Sequence, residues 1–180
     1  MLFRSYFFAP ERARELPHRM QFLLESLTAL MGEIAKRGSE LLLVQGKSVH
    51  VVPQLFARFK ATEIVAQHWV EPFARERDRR INEAIGGALR LFHGTTLRAP
   101  ESVRNKSGMP YSVFTPYFRA FMELGEVEQP ISMPRRLPAL PSLKVARAQL
   151  PTPKQLGIER NDALPNGGEK HAQRRLKTFV

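Results

Sequence analysis

Along the first 122 positions apolar residues fall into two rhythms, short solid blocks and longer stripes stepping by three and four. Phe3–Phe8 is an aromatic run stopped by Pro10, which predicts a buried strand. Glu11–Pro17 reads as a charged connection. Between His18 and Arg37, residues Met20, Leu23, Leu24, Leu27, Leu30, Met31 and Ile34 mark one helix face, closed by Lys36, Arg37 and Gly38. Leu41–Val44 has no polar alternation, as expected of a strand buried on both faces. Gly46 turns the chain into a second stripe, Val49, Val52, Phe56 and Phe59. Pro53 is expected near the start of that helix, where a missing N–H costs little. Ile64–His68 is a third strand, Glu71-Pro72 opens a third helix running to Gly86, and Leu89–Phe92 is a fourth strand. Three consecutive strand–helix–strand units predict an α/β fold, a doubly wound parallel sheet.

The stretch Asn105–Phe121 breaks this alternation. Gly108 and Pro110 punctuate a loop, and the dense aromatics after them predict that it packs down into a buried helix. Thr115 is the expected cap, with Pro116 at the first helical position. Tyr117, Phe118 and Phe121 would then place rings on one face. Half of the chain's 14 prolines fall in 123–165, where six basic residues nearly balance five acidic ones. Prolines on that scale forbid long helices and central strands, so an extended connection is predicted, laid along a surface. After Asn166-Gly167-Gly168, Ala172, Leu176 and Phe179 stripe a last helix flanked by Lys170, Arg174, Arg175 and Lys177.

Charge adds a partner class. With 28 Lys+Arg against 17 Asp+Glu the formal charge is +11 and the pI about 10.7. A surface that basic favours a polyanion, nucleic acid first and an anionic membrane second. There is no cysteine, hence no disulfide, thiolate metal site or cysteine nucleophile. No secretory signal is evident. No apolar run nears the ~20 residues that cross a bilayer, so a soluble, cytoplasmic protein is expected. No Gly-x-Gly-x-x-Gly, phosphate loop or Gly-x-Ser-x-Gly elbow occurs. The five histidines (18, 50, 68, 93, 171) lack ligand spacing, so no metal site is expected. His68 and His93 end predicted strands, where active sites of open α/β folds lie, though a hydrogen-bonding role suffices for each. Glu71–Arg80 reads as a solvated helix face of alternating charge.

Four stretches in order carry a resemblance. Phe22-Leu23-Leu24-Glu25-Ser26-Leu27, the Glu71-Pro72-Phe73-Ala74-Arg75-Glu76-Arg77-Asp78 run, Lys106-Ser107-Gly108-Met109-Pro110-Tyr111 continuing through Thr115-Pro116 to Arg119-Ala120, and Gly168-Glu169 with Ala172 and Leu176 resemble the DNA photolyase and cryptochrome family. The resemblance is collinear over nearly all 180 residues. It implies a Rossmann-like antenna domain over 1–122, a proline-rich inter-domain linker over 123–165, and the start of a helical FAD-binding domain over 166–180. The family's activity is light-driven repair of cyclobutane pyrimidine dimers, a carbon–carbon lyase reaction in which excited reduced FAD lends an electron to a flipped-out lesion. Photolyases are among the standard examples of base flipping.

Departures from the family qualify each expectation. The tryptophan- and arginine-rich first strand has no counterpart, because Met1-Leu2-Phe3 opens at what resembles the second. In the family that strand lies beside those corresponding to Phe3–Phe8 and Ile64–His68. Its omission would leave two unpaired edges, an aggregation liability. A fragment lacking both ends is therefore expected, without catalytic residues, inactive alone, and meeting damaged DNA only through the missing helical domain. Gly108 and Met109 stand where folate-using members carry Asn and Glu. Folate is thereby disfavoured, leaving a flavin, a deazaflavin or an empty antenna pocket. By analogy Phe8, Pro10, Gly108, Met109 and Tyr111 border that pocket, and Arg135 and Arg136 could touch phosphate. A monomer is expected. Two other readings stay open: a cryptochrome-type photoreceptor, and a stand-alone α/β nucleotide-binding module.

Overall fold

A computed structural model describes residues 2–3, 9–94, 96–127, 129, 131–142 and 144–179. The elements run β1 (Leu2–Phe3), α1 (Pro10–Glu15), α2 (Pro17–Lys36), β2 (Val44–Gln45), α3 (Ser48–Arg58), β3 (Ile64–Gln67), α4 (Pro72–Ala84) and β4 (Leu89–Phe92). A 3-10 turn at Pro100–Ser102, α5 (Phe114–Glu123), α6 (Pro153–Leu156) and α7 (Glu169–Phe179) follow. Strands alternate with helices and every described pairing is parallel, so the fold is α/β as expected. The described strands form two two-stranded sheets, β1 with β2 and β3 with β4. Two compact units result, Met1–Lys60 with Pro134–Val180, and Ala61–Met133.

In the first unit the core is Ala13, Met20, Leu24, Leu156 and Ile158. Glu11–Pro17 is not a connection. Pro10 presets the first turn of α1, and Ala13 at its centre is completely buried. The proline-rich stretch supplies the other wall. Its backbone runs extended, with Leu137 N–H donating to the Arg37 carbonyl and Ala148 N–H to that of Leu43, both at 2.8 Å. It then forms one turn, α6. Thr152 and Gln155 make a reciprocal capping box, and Gly157 at φ 66° closes it. Pro53 is the sixth residue of α3 rather than near its start, so its ring removes a bond that would close on the Val49 carbonyl. No residue of α3 is buried, which leaves room for that defect.

α7 is tied to α2 through Glu33, which accepts from Lys170 at 2.8 Å, Arg37 at 3.0 Å and Lys36 at 3.1 Å. Lys170 foremost, then Arg37 and Lys36, hold the Glu33 carboxyl down at about 2, against an ordinary 4.5. A depressed acid stabilises the fold above its unfolded value. The tie is therefore complete above pH 4.5 and is lost as the pH falls through about 2. Carboxyl NMR should titrate Glu33 near 2, and Glu33→Gln should remove this acid dependence. A midpoint at the ordinary glutamate value would show that the cations do not hold it.

In the second unit, α4 packs against β4, which pairs with β3 in a register running from Ile64↔Leu89 to Gln67↔Phe92. The inward face of α4 is Ala74, Asp78 and Ile81, followed by Ile85. Asp78 is therefore not part of a solvated face: it is only 7% exposed.

Candidate functional site

The stretch singled out above forms a hydrogen-bonded loop. Asn105 organises it, its side-chain Oδ1 accepting from the backbone N–H groups of Ser107 and Met109, each at 2.9 Å. Its own N–H donates to the Met109 carbonyl, and Gly108 N–H donates back to the Asn105 carbonyl. Gly108 sits at φ 76°, a left-handed conformation costly for any side chain. Arg104 Nη1 clamps the Gly108 carbonyl at 2.9 Å. The loop does not pack down: residues 106–110 are exposed, held by their own hydrogen bonds. Asn105→Ala removes two acceptor contacts, and should cost about 1–2 kcal/mol of local stability, typical of losing a side-chain cap. Faster tryptic cleavage after Lys106 would report it, and an unchanged rate would contradict this account.

α5 begins at Phe114, with Val113 as its uncapped N-cap, so Thr115 is not the cap. Pro116 still falls in the first turn, where its missing N–H has no helical acceptor. The rings divide between two faces. Tyr117 lies 6.4 Å from Tyr111 and 6.2 Å from Phe121, whose ring takes the Arg98 guanidinium at 5.1 Å. Phe118 instead stacks on Phe114 at 5.7 Å, since consecutive helical residues diverge by about 100°. No residue of α5 is buried, contrary to the expected buried helix.

The candidate pocket residues are distributed as follows. Pro10 opens α1 in the first unit; Gly108, Met109 and Tyr111 belong to the second; Phe8 lies outside the described residues. Arg135 and Arg136 are exposed, on the extended segment of the first unit. That unit also holds an apolar groove of about 1340 Å³ against α2, floored by Ala29, Gly32 and Ala35 with Leu43 and Leu150. Small residues in a helical stripe were its only sequence signal. At the carboxyl ends of β3 and β4, the rings of His68 and His93 meet at a tilt, with centroids 4.7 Å apart and planes inclined by 54°. Sequence reading missed Asp78, although its spacing from Ala74 and Ile81 marks the inward face of α4. Among the described residues no three acidic, histidine or cysteine side chains gather as metal ligands, and no helix is long and apolar enough to cross a membrane.

A family model described as DNA photolyase matches residues 2–139. An uncharacterized 31.6 kDa protein in the atpI 5' region of Synechococcus sp. PCC 6716 is 33% identical, over 89% of this chain and 58% of its own. The deoxyribodipyrimidine photo-lyase of Synechococcus sp. PCC 6301 is 31% identical, over 91% of this chain and 36% of its own. The crystal structure of a bacterial class III photolyase from Agrobacterium tumefaciens superposes with TM-score 0.76 at 25% identity, covering 90% of this chain and 35% of that one. The chain thus spans little more than a third of the curated photo-lyase's length.

Proposed function

The chain belongs to the DNA photolyase family, and from that premise we propose that it is the light-harvesting α/β part of a deoxyribodipyrimidine photolyase, which repairs cyclobutane pyrimidine dimers. The collinear match over residues 2–139, taking in the Asn105 loop and α5, carries the reading. Strand pairing supports it too: among the described residues each strand is paired along one edge only, as fits a sheet that takes a further strand. The reading places FAD and the lesion in the helical domain that the family resemblance implies. It assigns no catalytic residue to this chain, which alone is inactive, and gives DNA contact at most to Arg135 and Arg136.

For the antenna, Gly108, Met109 and Tyr111 of the second unit border the chromophore in this reading. A Cβ built on Gly108 would meet nothing within 4 Å, so the loop leaves room beside its backbone. Residues 105–111 carry no carboxylate, which suits an aromatic flavin or deazaflavin better than folate. The bound group would supply light absorption, while the chain's own part is to hold a rigid, partly apolar rim.

A dimer-containing oligonucleotide under blue light tests the proposal. The chain alone should leave the dimers intact. A chimera in which it replaces the matched segment of the Synechococcus photo-lyase should lose them in a light-dependent way. A chimera that folds and keeps its flavin yet repairs nothing would overturn the reading.

A further inference from the structure

A cavity of about 230 Å³ beneath α4 is lined by His68, Arg75, Asp78, Arg79, Asn82 and the leucines of β4. Two polar atoms buried in that neighbourhood have no hydrogen-bond partner, Asp78 Oδ2 and His68 Nδ1. Asp78 is a held group: its side chain is 9% exposed, and its Oδ1 accepts from Arg77 Nη2 at 2.6 Å and Nε at 2.7 Å. Asn82 is occupied as well, its Oδ1 accepting from Leu89 N–H at 3.0 Å. Arg79 is committed to Glu76 and Glu83. Arg75 makes no ion pair among the described residues.

Leaving a charged acceptor buried and unsatisfied costs more than the roughly 1–3 kcal/mol of a neutral group. The space is several times a water molecule's ~30 Å³ share. An ordinary oxyanion does not suit it, because its oxygens only accept and would face the Asp78 carboxylate lone pair to lone pair. An oxyanion that still carries an O–H does suit it. We propose that this cavity binds monohydrogen phosphate. Its O–H donates to Asp78 Oδ2, its remaining oxygens accept from Arg75 at the rim, and His68 Nδ1 donates as an N–H. Arg77 holds the carboxylate's other oxygen, so the free one keeps its aim.

Sulfate is the discriminating probe: at mildly alkaline pH it has the same charge and shape as hydrogen phosphate but no proton. Calorimetric titration of the full chain at matched ionic strength should show saturable phosphate binding, with sulfate about tenfold weaker or more, the effect of one hydrogen bond to a charged group. Arg75→Ala, at an exposed position, should weaken phosphate by about tenfold on the same reasoning. Asp78→Asn supplies an N–H that sulfate can accept, and should erase the preference. Should that variant fail to fold, the anion ratio of the unmodified chain and the Arg75→Ala result still decide. Equal binding of the two anions, no saturable heat, or indifference to Arg75→Ala would each overturn the site, the first and last pointing to diffuse attraction by the +11 charge. Such a failure leaves the photolyase reading untouched.

Discussion

Leu156→Ala is expected to destabilise the first unit by about 2–5 kcal/mol, the range for truncating a buried leucine whose surroundings relax incompletely. Leu156 is 3% exposed and packs with Ala13, Met20, Leu24 and Ile158. The transfer of three carbons from water is part of the effect; the void left between α1, α2 and the end of α6 is the rest. Proteins of this size hold only ~5–15 kcal/mol in all, so the substitution should shift a urea midpoint strongly. Ile131→Ala supplies the contrast: at 96% exposure that side chain should change nothing measurable. A Leu156→Ala midpoint unmoved from the parent's would mean that the proline-rich segment is not part of the core.

Gly167→Ala should detach the turn that leads into α7. A Cβ there would stand 2.6 Å from the Phe22 carbonyl oxygen, 2.7 Å from Ser26 Oγ and 2.9 Å from Glu25 Cβ. Phe22 O belongs to the backbone of α2 and cannot yield, so the 166–168 turn must lift. Lifting it breaks the 2.7 Å bond from Gly167 N–H to Glu25 Oε2. Overpacking typically costs ~1–3 kcal/mol, and the lost charged bond adds to that. The readouts are a lower urea midpoint and faster tryptic cleavage at Arg174, Arg175 and Lys177. Wild-type protection of those sites would refute the close approach. Gly32→Ala in α2 is the matched opposite. Nothing lies within 4 Å of its added Cβ, so a helix interior that gains alanine should be stabilised by about 0.5–1 kcal/mol.

The candidate site was legible to unequal degrees. Gly108 and Pro110 announced a loop because their backbone preferences are local. That the loop would be exposed and held by Asn105 and Arg104 was not legible, since an aromatic-rich stretch reads as one destined for burial. Phe118 parted from Tyr117 and Phe121 because helical geometry sets i and i+4 together and turns i+1 away. Asp78 was hidden by its neighbours: among so many charges, one inward carboxylate looks like the rest until its spacing from Ala74 and Ile81 is counted. Gln21, 3% exposed, was hidden in the same way. Its amide exchanges two bonds with the backbone of Asn161, at 2.8 and 3.1 Å, a partner 140 positions away.

The amino-acid pattern alone determined the alternation of strands and helices, the parallel pairing that alternation requires, the break at Gly167-Gly168 and the family motifs. Each of these rests on periodicity, backbone preference or residue identity within a few positions, which the chain carries locally. Only the tertiary structure decided that α1 and the proline-rich segment close the core around Leu156. It alone decided that α5 stays unburied, that Glu33 ties α7 to α2, and that Asp78 and His68 are left with unsatisfied atoms beneath α4. Those outcomes depend on which distant groups meet and what solvent they exclude, and contacts between remote positions have no period to read.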